Sequence, residues 1–284
     1  MDYLLGVYSI SISRACRLVD LERSIYSYES KRNDTPVVEQ LQALAEKHPT
    51  EGFWKMFYRM RRNNAWNHKR VHRIYKLMKL NIRRKAKKRL PARVKQPLVV
   101  PQGTNITWSM DFMSDALVSS RKFRVLNILD DFNREVLAVE IDFSLPAIRI
   151  IRVLNNLIEW RGKPKAIRVD NGPEFVSHAL TLWCEDNQIS LQYIQPGKPT
   201  QNAYVERFNR SFRRGVLDAY LFETLDEVRE ISSDWILDYN TDRPHEGLGN
   251  RSPMDFWEPI GRVPKIHRVE GRINQTEFTS LELS

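Results

Sequence analysis

Residues 166–175 read AIRVDNGPEF. A short buried strand, 166–169, is expected to end at Asp170. Asn171 and Gly172 turn the chain, and Pro173 and Glu174 suit the first turn of a helix expected through Asn187. Residues 146–160 read as a helix closed by Gly162 and Pro164. Downstream, 191–194 is a strand candidate, and after a Gly/Pro loop a helix is expected from about 200 to 217. A short buried strand between helices marks a sheet covered on both faces. Upstream, strand candidates at 107–112, 123–129 and 136–141 are joined by polar turns, as in an antiparallel meander. The fold class is therefore α/β: a mixed five-stranded sheet with flanking helices, within residues 103–260.

Charge separates this region from the one before it. The 284 residues carry a net charge of +10 and are 42% hydrophobic, enough for a real core. Residues 55–95 hold 17 Lys or Arg and no acid, leaving 28 basic against 35 acidic residues elsewhere. A basic block of that size points to a polyanionic partner, nucleic acid first. Cys16 and Cys184 stand far apart with no CxxC pair, which excludes a disulfide framework and a thiolate zinc site. The apolar run at 4–10 is too short to span a membrane, so a cytoplasmic protein is expected.

Residues 1–35 read as a helical arm. One helix at 11–19 would turn Ala15 and Leu18 inward, and a second would be lined by Leu21, Ile25 and Tyr28. Residues 36–82 read as three helices of helix-turn-helix type. The third, at 68–78, opposes an apolar face (Val71, Ile74, Tyr75, Met78) to a basic one (Lys69, Arg70, Arg73, Lys76), the form of a helix laid into a DNA groove. Residues 83–102 read as a basic linker whose Arg83, Arg84, Lys87 and Lys88 can follow phosphates. Thr224 and Glu227 make a capping box for a helix with Leu225, Val228, Ile231, Trp235 and Tyr239 inward. Residues 240–284 are expected to be mostly irregular, with a short helix at 253–257 and a tail at 261–284.

Three acids carry the chemistry. Asp111 lies mid-strand between apolar neighbours, Asp170 ends a buried strand, and Glu206 sits on a helix whose buried stripe is Val205, Phe208, Phe212 and Val216. Fifty-eight residues separate the first pair and 35 the second. The ends of adjacent strands and a helix can bring them together. At roughly 5 Å and an effective dielectric near 20, each pair would repel by on the order of 3 kcal/mol, so such a cluster needs cations. Carboxylate oxygens suit Mg²⁺ and Mn²⁺. Asn202, Arg210 and Arg213 share the Glu206 face at helical spacing. Taken singly, each acid also reads as ordinary: a strand-surface aspartate, an Asx turn, a solvent-exposed pair of Glu206 with Arg210. Asp130 and Asp131 also end a strand but read as a hairpin turn, and His245 in a Pro-Gly loop reads as structural.

The strings WSMDFM, RVDNGPEF, QPGKPTQNAYVERFNRSFR and YNTDRPHEGLGNRSPMDF resemble OrfB-type transposases of bacterial insertion sequences, in the DDE transposase and retroviral integrase superfamily. The resemblance covers about residues 36–257, and the basic module before the core is similar too. No His-His-Cys-Cys zinc arrangement is present, unlike retroviral integrases. The resemblance implies a ribonuclease-H-like core and a magnesium-dependent transesterification with two Mg²⁺ ions (Mn²⁺ substituting), held by Asp111, Asp170 and Glu206. Arg210 and Arg213 would hold phosphates, with Lys198 and Asn202 as further DNA contacts. Implied partners are double-stranded DNA at element ends and target, at least one second copy of the chain, and an upstream reading frame joined by frameshifting. The setting would be bacterial and nucleoid-associated. No Walker-type loop is present, in keeping with phosphodiester exchange without ATP. Two other readings stand beside this one: a DNA-binding regulator with a silent core, and a nuclease acting on RNA–DNA hybrids.

Overall fold

The computed structural model describes residues 2–29, 33–82, 100–195 and 199–257. Arg83, Arg84, Lys87, Lys88 and Lys198, and the 261–284 tail, lie outside the described residues.

The core is one five-stranded sheet in the order β3-β2-β1-β4-β5. Strands β1 (Thr107–Ala116), β2 (Lys122–Asp130) and β3 (Val136–Asp142) form the antiparallel meander, and β4 (Ala166–Val169) and β5 (Ser190–Tyr193) add in parallel beyond β1. This is the ribonuclease-H-like arrangement. Strand alternation divides the sheet between two cores. Trp108, Met110, Leu126 and Ile128 pack under α7 (Ala147–Arg161) and α8 (His178–Asp186). Met113, Val125 and Leu129 pack under α9 (Ala203–Phe212) and α10 (Leu225–Thr241). Asp111, between Met110 and Phe112, therefore opens on the α9 side.

Helix α8 starts later than expected. Residues 171–176 stay in a turn because the Gly172 N–H binds the Asp170 side chain at 3.0 Å and Phe175 is driven fully into the α7–α8 core. Ser177 then caps the helix by accepting from the Leu180 N–H. Helix α10 has its expected cap: the Thr224 hydroxyl accepts from Glu227 N–H, and the Glu227 carboxylate accepts from Glu223 N–H. Beyond α9 the chain widens into a π-turn at Arg213–Leu217, where a side chain on Gly215 would collide with the Trp235 indole. The short helix α11 (Pro253–Trp257) forms as expected.

Before the sheet lie α1 (Asp2–Tyr8), α2 (Ile12–Leu18), α3 (Arg23–Tyr26), α4 (Thr35–Lys47), α5 (Phe53–Arg61) and α6 (His68–Leu77). In the arm, α1 was not foreseen, and Leu18, Ile25 and Tyr28 are exposed while Ala15 and Cys16 are buried. Helices of two turns or fewer offer too little inner surface to cover larger side chains. The module α4–α6 has a core of its own around Val37, Leu41, Met56, Phe57, Met60, Val71, Ile74 and Tyr75.

That module is bolted to α10 by charge. Arg59, only 2% exposed at its side chain, binds Glu51 at 3.0 Å and Asp238 at 2.6 Å and also pairs with Asp242. Arg243 reaches Glu51 at 2.8 Å, and Arg62 joins Asp242 at 2.8 Å and Asp255. The two guanidinium groups hold the Glu51 carboxyl down to about 2 against its burial. Among the described residues no helix is long and apolar enough to cross a membrane.

Candidate active site

Parallel pairing of β1 with β4 sets Ser109 opposite Arg168. Two residues on, Asp111 and Asp170 stand level at the carboxyl end of β4, where α/β sheets present their ligands. Helix α9 crosses above them. Its apolar stripe (Val205, Phe208, Phe212) is buried in the sheet core, which sets the helix rotation and leaves Glu206 and Asn209 on the flank toward β1. Asn209 donates to Asp111 Oδ2 at 2.7 Å, and Asn202 donates to the Met110 carbonyl at 3.3 Å. Glu206 lies between these two anchors.

Asp111 feels both of the other carboxylates. Burial pushes the Asp111 carboxyl up to about 6, and the charges of Asp170 and Glu206 push the same way. The Phe112 N–H and the Asn209 amide pull against them. The Glu206 carboxyl is raised by burial and lowered by Arg210. The trio is not drawn tight, however. Asp170 is turned to its own turn at Gly172, and Asp111 to Phe112 N–H and Asn209. Among the described residues no group of three His, Cys, Asp or Glu side chains is gathered closely enough to hold a metal ion as it stands. Carboxylate oxygens are hard donors, and a divalent cation beside Asp111 would relieve the charge that Asp170 and Glu206 place on it.

Two residues of this site went unread in the sequence. Asn127 stands opposite Asp111 on β2 and is fully buried. Its amide donates to Asn209 Oδ1 at 2.6 Å, so a chain of amides runs from Asn127 through Asn209 to Asp111. Asn209 shared the Glu206 face at a spacing of three, the one signal that pointed to it.

Other candidates fall differently. Asn202 is buried, with its amide on β1, and so offers no surface to DNA. Arg213 binds Asp115 at 3.1 Å and the Ser114 carbonyl at 2.8 Å, tying the end of α9 to β1. Arg210 is exposed. On α6, Lys69 and Lys76 are exposed, while Arg70 and Arg73 both pair with Asp34. Asp131 is occupied by Ser109 at 2.7 Å and Arg168 at 2.6 Å, and Asp130 by the N–H groups of Asn105 and Phe132. Burial and nearby cations push His245 down to about 3, so it stays neutral, edge-on to Tyr239.

The family model for the integrase core domain matches residues 101–199, and a second integrase core model matches 187–253. The chain is 38% identical over 251 residues to the 31.7 kDa protein of insertion element IS407 from Burkholderia multivorans, covering 87% of this chain and 91% of that one. The chain belongs to the insertion-element transposases of the DDE/integrase superfamily. Other members of this transposase group resemble it as well. The 39.2 kDa protein of insertion element IS476 from Xanthomonas euvesicatoria is 36% identical, over 87% of this chain and 72% of that one. Among solved structures, the HTLV-2 integrase catalytic core domain in complex with magnesium is similar to this chain with a TM-score of 0.45 at 20% identity. The match covers 57% of this chain and all of that one.

Proposed function

We propose that this transposase cuts DNA strands at the ends of its insertion element and joins them to target DNA in a magnesium-dependent transesterification. The observation that carries the reading is geometric: Asp111 on β1 stands beside the end of β4, where Asp170 follows, and α9 lies over it with Asn209 on its carboxylate. The charges of Asp170 and Glu206 add to burial in raising the Asp111 carboxyl. Asp111, Asp170 and Glu206 would hold Mg²⁺, two ions being the number that suits strand exchange. Bound there, the metal would stabilise charge on the scissile phosphate and on the attacking and leaving oxygens. The protein's own part is positioning. Asn209 and the Phe112 N–H fix both oxygens of Asp111, and Arg210 offers an exposed cation one turn from Glu206 for a backbone phosphate. Lys69 and Lys76 on α6 would contact duplex DNA away from the chemistry. Because Arg59 and its partners fix the α4–α6 module to α10, bound DNA and the trio keep one geometry. Pairing two element ends calls for at least two copies of the chain.

A second reading, a DNA-binding regulator with a silent core, draws support from the separation of the three carboxylates. Incubation with labelled element-end DNA and Mg²⁺ separates the two. Joined products that vanish in Asp111→Asn, with DNA binding kept, support the enzyme. Binding without cleavage by the unaltered chain supports the regulator.

A further inference from the structure

Helices α5 and α6 carry an aromatic surface that the proposed chemistry leaves unused. Trp54 is 56% exposed, yet its ring is held in place from several sides. It stacks on Tyr58 at 6.1 Å with a 29° tilt and lies against His68 at 5.9 Å and 33°. Phe53 and Phe57 hold its rim edge-on at 5.1 and 6.0 Å. The indole is therefore oriented by its neighbours, with much of its area open to water.

Cations adjoin it. His68 opens α6 beside the indole, followed by Lys69, and a groove continues along the helix through His72, Arg73 and Lys76. No acidic residue occurs anywhere from 55 to 95; Arg59 and Arg62 are spent on the seam with α10 and Arg70 and Arg73 on Asp34, while Lys69 and Lys76 stay exposed. A fixed aromatic face beside cations suits a nucleotide, with the base on the ring and its phosphate on the amines. Inside a duplex each base face is already covered by its neighbours. At a duplex end the last pair keeps one open face but is held by its pairing, whereas an unpaired nucleotide can swing its whole face onto Trp54.

We infer that the Trp54–His68 surface, with Lys69, binds an unpaired nucleotide at the end of a DNA duplex. The inference rests on the reading of the chain as a DNA-acting transposase and adds a preference for frayed or protruding ends. Its location, on the module that Arg59 bolts to the catalytic core, lets it fix the position of the terminal nucleotide relative to the trio.

The test uses the full chain and two labelled duplexes, one blunt and one with a short unpaired 3′ extension carrying 2-aminopurine. Fluorescence anisotropy reads affinity, and 2-aminopurine emission reads stacking. The unaltered chain should bind the extended duplex about tenfold more tightly and quench the probe. Trp54→Ala should abolish both effects and leave blunt-duplex affinity within about twofold, and Trp54→Phe should restore part of each. Equal affinities with no quenching, or a preference that survives in Trp54→Ala, overturn the inference while leaving the transposase reading intact. An altered mass in sedimentation for Trp54→Ala, with both DNA affinities unchanged, marks the surface as a protein contact and also overturns it. Failure of the unaltered chain to bind either duplex counts against DNA action as a whole.

Discussion

The Asn209 side-chain amide donates to Asp111 Oδ2 at 2.7 Å across 98 residues of sequence, and its own oxygen accepts from Asn127 at 2.6 Å. Asp111 is thereby aimed by a helix and by the neighbouring strand together. Removing the Asn209 amide leaves Asp111 to the Phe112 N–H alone, and removing the Asn127 amide loosens Asn209.

Asn209→Ala is therefore expected to lower strand joining by about 10- to 100-fold, the range seen when the partners of metal ligands are lost. DNA affinity should not change. End-joining assays run beside anisotropy on the same DNA check this, and Asn127→Ala should reproduce the defect more mildly because it acts through Asn209.

The Asp111 carboxyl is raised from 3.8 to about 6 by burial and by its acidic neighbours. A folded-state value above the unfolded one means that the metal-free fold binds the proton more tightly. Its stability from this group is greatest at low pH and declines as pH climbs from about 4 through 6. A cation favours the ionised form, so metal binding should strengthen over the same window. Melting curves in EDTA and in Mg²⁺ between pH 4 and 7 should diverge as pH rises, and Asp111→Asn should flatten the divergence.

Arg59 compensates Glu51, Asp238 and Asp242 at the seam between α5 and α10. Arg59→Ala leaves the buried Glu51 carboxylate with Arg243 alone and takes the guanidinium from Asp238, and should cost about 3 kcal/mol. The Glu51 carboxyl, held at about 2, gives the opposite pH sign from Asp111: its contribution is complete above its ordinary 4.5 and disappears as pH falls toward 2. Chemical denaturation measures the first effect. Limited proteolysis across falling pH measures the second, with faster cleavage expected as pH falls toward 2.

Gly215 lies where a β-carbon would run into the Trp235 indole. Gly215→Ala should destabilise the fold by about 1–3 kcal/mol as the π-turn shifts to make room. Thermal melting of this variant, and of Gly215→Ala with Trp235→Leu, should show partial recovery in the double change.

Much of this was legible along the chain. Alternation in β1 to β3, the short run before Asp170 and the Val205–Phe208–Phe212 stripe gave the sheet, its order of elements and the rotation of α9. The start of α8 was hidden because Pro173 and Glu174 suit a helix locally, and only the burial of Phe175 decides otherwise. Asn127 and Asn209 were hidden because an asparagine acquires its role from what it faces. The same holds for Arg59, whose partners at 238 and 242 lie on a helix with no periodic relation to it. Arg213 was read as a free cation because the sequence gives no sign of Asp115 at its side.

The central claim is that Asp111, Asp170 and Glu206 close on divalent cations. Anomalous diffraction from crystals soaked in Mn²⁺ tests it without reference to activity. Metal peaks about 2.1–2.2 Å from oxygens of all three residues are the expected result. Peaks that leave Glu206 out, or no ordered metal at saturating Mn²⁺, would contradict it.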